Sequence, residues 1–344
     1  MLNNALCAFV AKHCSDHLNI IKVAGDASFR SYYRVLRQTG PSLIVMDAPP
    51  DKEDSHPFVA IAHFLRQHGV KAPDIKVCDF EQGLFLLEDF GDLTFARALE
   101  EGQNAQTLYG AAVDTLLTLQ ASPATGQTIA HTRAFDEELF AYEADLLTAW
   151  YIPGVMGYTL SETEQAAFKQ VFDQLLAPLL EQPRVLVHRD YHSRNLMWME
   201  GAVGVIDFQD AVMGPITYDL ASLLRDCYVA WDAPFRHEVM KRWLEGAKTQ
   251  LGYAPEWAEF EQAFDWMAIQ RNLKAVGIFG RLALRDGKYA YLDDVPRTMG
   301  YVRETLSRYP QLAELQRLLE RAIPEGQEPS SVEVAARQTQ SGVA

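Results

Sequence analysis

The first ninety residues carry a different hydrophobic pattern from the rest of the chain, and this difference limits the folds that the sequence can adopt. Short β-branched and aromatic runs there are separated by turns rich in Gly, Asp and Pro, a pattern typical of antiparallel strands. The clearest predicted strands are 20–24, 31–36 and 43–48. After Gly91, apolar residues recur at helical spacing over long segments. The longer predicted helices are 105–120, 136–150, 161–180, 217–231, 234–250, 257–283 and 297–321, and the third of them opens with a capping-box pattern at Ser161 and Glu164. The sequence therefore predicts an α+β fold.

The same pattern predicts the domain organisation. We expect a small antiparallel β-rich N-lobe over residues 1–90, a hinge near Glu88, and a larger, mainly helical C-lobe over residues 91–323 that binds the acceptor. A cleft between two such lobes is a natural ligand site. Residues 324–344 are polar and contain no aromatic residue, which predicts a disordered tail.

The segment 184–221 places three oxygen-bearing side chains around short apolar runs. Two predicted strands, VLVH and VGVID, flank the polar loop HRDYHSRN, so Asp190, Asn195 and Asp207 are expected to converge. Phosphoryl transfer needs a carboxylate that orients the attacking hydroxyl and hard oxygen ligands that hold Mg²⁺ against the phosphates. Asp190 suits the first role, and Asn195 and Asp207 suit the second. The alternative is a polar turn with surface carboxylates.

The loop and the acidic strand end carry a family resemblance. HRDYHSRN at 188–195 and IDF at 206–208 resemble the catalytic and metal loops shared by protein kinases and aminoglycoside or choline phosphotransferases. GPITYDLA at 214–221 resembles the G-x-P-x-x-D-L-A element of the phosphotransferases. The resemblance implies a protein-kinase-like bilobal fold with Mg²⁺ as cofactor and ATP as phosphoryl donor.

A narrower resemblance concerns the acceptor. GDASFRSYYRV, LIVMDAPP, FLLEDFGD and FDWMAIQRNLKAVGIFGRL resemble segments of the cell-wall-recycling anomeric kinases for N-acetylmuramate and N-acetylglucosamine. That family makes the α-1-phosphate of the sugar, so an amino-sugar substrate is expected. Two alternatives stay open: an aminoglycoside or other small-molecule phosphotransferase on the same fold, and a non-catalytic nucleotide-binding regulator.

Two segments are predicted to contact the nucleotide. The first is a turn that would cover the phosphates, although an ordinary hairpin turn explains it as well; it comprises Gly25, Asp26, Ala27, Ser28, Phe29 and Arg30. Arg34 could add positive charge or be a solvated strand residue. The second segment is the hinge, where the resemblance implies that adenine bonds the main chain of Glu88 and Phe90. The side chains of Glu88 and Asp89 are expected to be solvated.

One departure from the wider family affects phosphate binding. Met46 stands near the position of the strand lysine that usually steadies the α- and β-phosphates, and the helix after it has no acid in its body. The strand lysine and the helix acid are expected to be lost together, because either charge alone would be buried without a partner, which is costly. This loss is the reason for the regulator alternative, and retention of Asp190 argues against it.

The remaining candidates support the loop or bind the acceptor. His188, Arg189 and Asp219 are predicted to hold the loop, and Asp219 would bond loop N–H groups or Arg189, or act as a helix cap. The acceptor-binding candidates are Gln209, Asp210, Trp231, Gln270, Arg271 and Lys274. Among these, Arg271 or Lys274 could meet the lactyl carboxylate of N-acetylmuramate and Trp231 could stack on the sugar ring. Their alternatives are a solvated basic helix face and a core tryptophan.

Composition excludes several partner classes. The formal net charge of −15 disfavours nucleic acid and anionic membranes. Four cysteines without metal-ligand spacing suggest reduced thiols in a cytoplasmic protein. We expect ATP and an amino sugar as partners and a monomer in solution.

Overall fold

The computed structural model describes residues 3–23, 29–123 and 128–340. It contains strands, α-helices, one π-helix at Leu147–Val155 and two 3₁₀-helices at Tyr289–Asp294 and Pro310–Leu312. The strands are β1 (His17–Lys22), β2 (Ser31–Arg37), β3 (Leu43–Asp47), β4 (Ile75–Asp79), β5 (Leu84–Glu88), β6 (Arg184–Val187), β7 (Leu196–Met199), β8 (Ala202–Val205) and β9 (Val212–Pro215). The α-helices are α1 (Asn4–His13), α2 (His56–Gln67), α3 (Phe95–Glu100), α4 (Ala105–Gln120), α5 (Ile129–Thr132), α6 (Glu137–Leu146), α7 (Glu162–Leu180), α8 (Tyr218–Leu224), α9 (Ala233–Gln250), α10 (Trp257–Asp286), α11 (Val295–Leu306), α12 (Ala313–Ala322) and α13 (Ser331–Gln340).

The chain divides into two compact units. The first unit consists of residues 1–133 and 194–212, and the second of residues 134–193 and 213–344. The predicted boundary near residue 91 differs from this division. The hairpin β7–β8 belongs with the N-terminal residues because the Val205 N–H donates to the Lys71 carbonyl (2.8 Å) and the Trp198 N–H to the Leu93 carbonyl (2.7 Å).

The first unit is built on a five-stranded antiparallel sheet with the order β1-β2-β3-β5-β4. The central strands β3 and β5 pair Val45 with Leu86 and Met46 with Phe85, and all four side chains are buried. Because side chains alternate between the two faces of a strand, both faces of these strands are covered. On one face, Leu6 and Phe9 of α1 join Val45 and Leu86 in a single apolar cluster. The antiparallel sheet predicted for the N-terminal part is confirmed.

The second unit is mainly helical and is organised around the long helix α10. Gly277 and Gly280 of α10 face the backbone of the preceding elements, so closely that a Cβ at Gly277 would lie 2.5 Å from Leu146 C and Leu147 N. Only glycine allows this approach of α10 to the start of the π-helix. Helix α7 begins with the predicted capping box, in which Ser161 and Glu164 each bond the other's main chain.

The C-terminal end differs from the sequence prediction. Residues 331–340 form α13 instead of a disordered tail, and Val334 is buried. The Ser331 hydroxyl donates to Asp293 (2.7 Å), and Arg337 Nη1 donates to the Val155 carbonyl (3.3 Å). A polar segment can therefore be ordered by a few anchoring contacts. Within the described residues, no helix is both long and apolar enough to cross a membrane.

Candidate active site

A tight β-hairpin in the first unit sets the positions of Asn195 and Asp207. Strands β7 and β8 pair antiparallel around Glu200 and Gly201, whose φ values of 47° and 95° are both positive, as in a type I′ turn. Asn195 directly precedes β7, and its carbonyl accepts a 3.1 Å hydrogen bond from the Ile206 N–H just after β8. Asn195 Nδ2 consequently lies 3.3 Å from Asp207 Oδ2. The pairing of the strands thus brings these two predicted metal ligands together.

The Asp207 carboxylate has a second neighbour that the sequence did not assign to it. Gln209 Nε2 donates to Asp207 Oδ1 at 2.8 Å, and the Gln209 carbonyl accepts a weak 3.4 Å bond from Arg133. Asp207 itself has a φ of 64°, in the left-handed region that favours glycine. Gln209 was predicted to bind the acceptor together with Asp210. The structure places the Gln209 amide on the Asp207 carboxylate and leaves Asp210 exposed in the same turn, so the contact of both residues with the acceptor stays a prediction.

A pocket of about 250 Å³ in the first unit is bounded by the predicted hinge and by the two metal-ligand candidates. Apolar side chains cover its faces, and Glu88 to Gly91 form part of its wall. The lining residues are Val23, Tyr32, Arg34, Ile44, Phe58, Pro73, Leu87, Glu88, Asp89, Phe90, Gly91, Asn195, Met197, Ile206, Asp207 and Phe208. An apolar pocket with a few convergent polar groups is the usual form of a small-molecule site.

The hinge segment is held by an ion-pair network rather than being solvated. Asp89 accepts hydrogen bonds from Arg34 (2.6 and 3.1 Å) and from the Ser42 hydroxyl (2.6 Å), and its side chain is buried. Arg34 also binds Asp92 at 2.7 Å. Burial alone would raise the pKa of Asp89, but these hydrogen bonds and that from the Gly91 N–H bring it below its usual value. The prediction of a solvated Asp89 is therefore wrong. Glu88 is half-buried and pairs with Arg66 at 3.2 Å.

The predicted phosphate turn is only partly described. Gly25, Asp26, Ala27 and Ser28 lie outside the described residues. Phe29 is 64% exposed, whereas Arg30 is buried, pairs with Glu53 (3.5 Å) and lies 5.6 Å over the Phe58 ring. Phe58 stacks on Phe208, the residue after Asp207. Met46 is fully buried in β3, and as a methionine it places no charge at this strand position.

Residues 188–193 of the polar loop lie in the second unit, and the buried carboxylate of Asp219 holds the start of this segment. Asp219 Oδ2 and Oδ1 accept hydrogen bonds from the N–H groups of His188 (2.7 Å) and Arg189 (3.0 Å). Burial raises the pKa of Asp219 to about 6, although these two bonds oppose the rise. The His188 ring Nδ1 accepts from the Asp190 N–H (3.2 Å). Arg189 has a φ of 79°, so the loop turns sharply just before Asp190.

Asp190 is surrounded by positive charge. Burial alone would raise its pKa, but the nearby cations Lys274, Arg271 and Arg189 outweigh burial and hold the pKa well below its ordinary value. His192, two residues further along, is buried against Tyr228, and burial lowers its pKa to about 4. Asp190 is thus a carboxylate at neutral pH, and it lies beside a neutral imidazole.

Glu143 of α6 neutralises the cations next to this loop. Its Oε1 lies 2.5 Å from Arg189 Nη2 and 3.2 Å from Lys274 Nζ, and its Oε2 accepts from Gln270 Nε2 at 2.9 Å. Lys274 Nζ also donates to the Tyr218 hydroxyl at 3.0 Å. Lys274 and Gln270 therefore serve a buried network within the second unit. Their contact with the acceptor stays a prediction.

The other two acceptor candidates also have internal partners. Arg271 is 4% exposed, and its Nη1 donates to the Arg225 carbonyl at 3.3 Å. Trp231 packs on Phe235 at a ring distance of 4.3 Å, and its carbonyl accepts from Arg236. Because the side chains of Arg271 and Lys274 are almost fully buried, the alternative of a solvated basic helix face is wrong, and their contact with the lactyl carboxylate stays a prediction.

Two contributors to the site were not predicted: Glu143 and the contact of Gln209 with Asp207. Glu143 lies 46 residues before Arg189 in the chain, so no local motif could reveal the pair. A signal was nevertheless present. Glu143 stands at helical spacing from Phe140 and Leu147, on an apolar face where an unpaired glutamate would be costly.

Comparisons with known proteins identify the family and the fold of the chain. Residues 19–260 match the phosphotransferase enzyme family. A protein of Pseudomonas aeruginosa named N-acetylmuramate/N-acetylglucosamine kinase is 42% identical over 311 residues, which cover 90% of each chain. A Pseudomonas putida protein of the same name is 39% identical and covers 88% of this chain and 87% of its own. The crystal structure of an ADP-bound aminoglycoside phosphotransferase has the same fold, with a TM-score of 0.61 and 15% identity over 88% of this chain and 99% of that chain. The protein-kinase-like α+β fold is thereby confirmed, and the chain belongs to the phosphotransferase enzyme family.

Proposed function

We propose that this protein is an ATP-dependent kinase that phosphorylates the anomeric hydroxyl of N-acetylmuramate and N-acetylglucosamine, giving the α-1-phosphate in peptidoglycan recycling. The choice of acceptor is supported by the names of two relatives that match nine-tenths of the chain at about 40% identity. The phosphotransferase fold and the retained Asp190, Asn195 and Asp207 support the reaction type.

One observation carries the nucleotide assignment: the hinge and the Asn195–Asp207 pair line the same pocket. Adenine binds between apolar side chains such as Ile44 and Phe208 and bonds the main chain of Glu88 and Phe90. The phosphates then extend towards Asn195 and Asp207. The network of Arg34 and Asp89 fixes the hinge backbone before the nucleotide arrives, which reduces the ordering cost of binding.

The residues present fit a Mg²⁺ ion. Asn195 and Asp207 offer two hard oxygen ligands within one hairpin, and Mg²⁺ is commonly held by one or two protein oxygens together with substrate phosphates and water. The buried Gln209 Oε1 has no hydrogen-bond partner among the described residues, so an oxygen that can accept a hydrogen bond lies beside this pair. When bound, Mg²⁺ supplies positive charge against the transferring phosphoryl group.

Asp190 orients the acceptor hydroxyl. Because cations keep its pKa low, the side chain is ionised and accepts a hydrogen bond, but it is a weak base. A weak base is adequate in a loose transition state, where the hydroxyl proton leaves late. The anomeric hydroxyl is the most acidic hydroxyl of a sugar, so it needs the least activation.

The charge of the missing strand lysine is replaced by other groups. Arg30 is a candidate because it lies over Phe58, which in turn stacks on the residue following Asp207. The Gly25 turn remains the proposed cover for the phosphates. We further propose that the protein acts as a monomer in the cytoplasm, where its four free thiols would stay reduced.

The decisive experiment incubates the purified full chain with ATP, Mg²⁺ and either N-acetylmuramate, N-acetylglucosamine or kanamycin. Phosphorus NMR should show an α-anomeric phosphate on both sugars and no product from kanamycin. The Asp190→Asn variant is the control for contaminating kinases. A sugar 6-phosphate, or turnover of kanamycin alone, would refute the proposal.

A further inference from the structure

Arg271 differs from the other buried cations of the second unit. Lys274 Nζ lies 3.2 Å from Glu143, and Arg225 Nη1 lies 3.0 Å from Glu304, so both of these charges have a carboxylate partner. Arg271 is just as buried, but among the described residues no carboxylate lies within ion-pair distance of its guanidinium. A buried charge without an ion pair is costly to the fold. The exception therefore points to an anion that comes from outside the protein.

One edge of the Arg271 guanidinium is unused. Its Nη1 donates to the Arg225 carbonyl at 3.3 Å and lies 4.0 Å from the Cys227 sulfur. Its Nε is buried without a hydrogen-bond partner among the described residues, and none of them accepts from its Nη2. Nε and Nη2 together form the edge that binds a carboxylate side-on. Arg34 uses the same edge, since its Nε and Nη2 donate to the two oxygens of Asp89 at 2.6 and 3.1 Å.

The position of Arg271 beside Asp190 indicates which anion this edge would meet. Lys274 and Arg271 both lie close enough to lower the pKa of Asp190 against the effect of burial. An acceptor whose hydroxyl is oriented by Asp190 therefore binds near both cations. If that acceptor carries a carboxylate, Asp190 repels it, and only a positive group that is not already neutralised can compensate. Lys274 is neutralised by Glu143, whereas Arg271 is not.

We infer that Arg271, and not Lys274, binds the lactyl carboxylate of N-acetylmuramate through its Nε–Nη2 edge and thereby favours this sugar over N-acetylglucosamine. This inference rests on the proposed function, in which both sugars are acceptors. The two sugars share every other group, because N-acetylglucosamine has a plain hydroxyl where N-acetylmuramate carries the lactyl ether. Paired hydrogen bonds between charged groups are among the stronger ones in proteins. Their loss should consequently weaken the use of the acidic sugar alone.

Three variants separate the geometry of the contact from charge alone. Arg271→Met removes the guanidinium and keeps an unbranched side chain. Arg271→Lys keeps a positive charge but loses the paired N–H groups of the edge. Lys274→Met is the matched control, because Lys274 lies on the same helix, is also buried and also acts on Asp190, but its charge is shared with Glu143.

The experiment measures kcat/KM of the full chain for N-acetylmuramate, for its neutral methyl ester and for N-acetylglucosamine, in one assay coupled to ADP release. The ratio of two kcat/KM values from one preparation does not depend on the fraction of protein that is folded. A variant that folds incompletely therefore still gives a valid ratio.

We expect the ratio of N-acetylmuramate to N-acetylglucosamine to fall at least about ten-fold in Arg271→Met, mainly through KM, and by less in Arg271→Lys. Lys274→Met should keep the wild-type ratio, because its loss affects both sugars alike. The ratio of the methyl ester to N-acetylglucosamine should change little in Arg271→Met, because the ester has the lactyl group without its charge.

Failures of the two proposals have different signatures. If the wild type phosphorylates both sugars but Arg271→Met keeps the wild-type ratio, the role of Arg271 is refuted and the proposed function stands. The same holds if both sugars lose equally, since Arg271 would then act on a group common to them, such as the transferring phosphoryl. A ratio that falls as far in Lys274→Met, or for the methyl ester as for the acid, also overturns the inference. If the wild type phosphorylates neither sugar, the proposed function itself is refuted.

Discussion

Replacing Glu143 by Gln tests how the loop before Asp190 is supported, because the two side chains have nearly the same shape and differ in charge. In the wild type, Glu143 is 1% exposed and its carboxylate is shared by Arg189 and Lys274. The third contact, with Gln270, can survive the change. The Gln270 Oε1 atom is buried and has no hydrogen-bond partner among the described residues, so it can accept from the new amide after a flip.

The change therefore removes charge compensation more than hydrogen bonds. Two cations, one of them nearly buried, are left with a neutral acceptor and the Tyr218 hydroxyl. Breaking a buried ion pair by removing one partner typically costs about 3–5 kcal/mol. We expect Glu143→Gln to lower the free energy of unfolding by that amount.

The assay is urea unfolding followed by tryptophan fluorescence, which reports mainly on the second unit because five of the six tryptophans belong to it. A double-mutant cycle with Lys274→Met isolates the electrostatic part. In the Lys274→Met background, Glu143→Gln leaves Arg189 but no lysine without its negative partner, so the change should cost about 2 kcal/mol less.

Two results would refute this reasoning. A cost below about 1 kcal/mol for the single change would mean that water or other groups compensate the cations. Additivity of the two changes within about 0.5 kcal/mol would mean that Glu143 and Lys274 do not interact.

Three further predictions concern single positions. Asp190→Asn should lower kcat at least about a thousand-fold and leave ATP affinity nearly unchanged, because the variant loses the charged hydrogen-bond acceptor for the sugar hydroxyl. If the variant keeps a tenth of the wild-type kcat in a coupled assay, Asp190 does not orient the hydroxyl. Gly277→Ala should destabilise the protein by about 1–3 kcal/mol in thermal unfolding, because the new Cβ would lie 2.5 Å from backbone atoms. Gly300→Ala lies on an exposed helix face with no neighbour within 4 Å and should stabilise the protein by about 0.5–1 kcal/mol. Equal effects of the two changes would contradict the packing of α10. Burial lowers the pKa of His192 in the folded protein to about 4, so the unfolded chain binds the proton more tightly and the free energy of unfolding falls as the pH drops from 6.5 towards 4. Relative to His192→Gln, the wild type should lose about 3 kcal/mol over this window in urea titrations. Parallel pH profiles of the two proteins would disprove this prediction.

Elements governed by local signals were predicted from the sequence closely. Helix α4 has the predicted bounds, 105–120, and the Ser161 capping box lies where the sequence placed it. The turn at Glu200 and Gly201 likewise follows from local chemistry, and with it the approach of Asn195 to Asp207.

Elements that depend on distant contacts were predicted less well. The helix expected over 297–321 breaks after Leu306 and resumes through a 3₁₀ turn at Pro310, since proline removes a helical N–H. Helix α8 ends at Leu224, short of the expected 231. Beyond it, the Asp226 side chain accepts hydrogen bonds from the Ser193 and Tyr228 N–H groups. Periodicity alone could not show that a carboxylate would be used in this way.

The same distinction applies to the site. Asp190, Asn195 and Asp207 stand out because their motif is compact in sequence. Glu143 does not, because its partners Arg189 and Lys274 come from other segments, and a charge on an apolar helix face does not name its partner.

The left-handed backbone of Asp207 has a consequence for how this position can vary. An aspartate at a φ of 64° costs more than glycine would, by roughly 1 kcal/mol, so folding alone would favour glycine there. A protein selected only for thermal resistance should drift to glycine at this position and lose its metal ligand while gaining stability. Thermal stability and activity therefore favour different residues at this position. Thermostabilised variants that keep activity should carry their stabilising changes elsewhere in the hairpin.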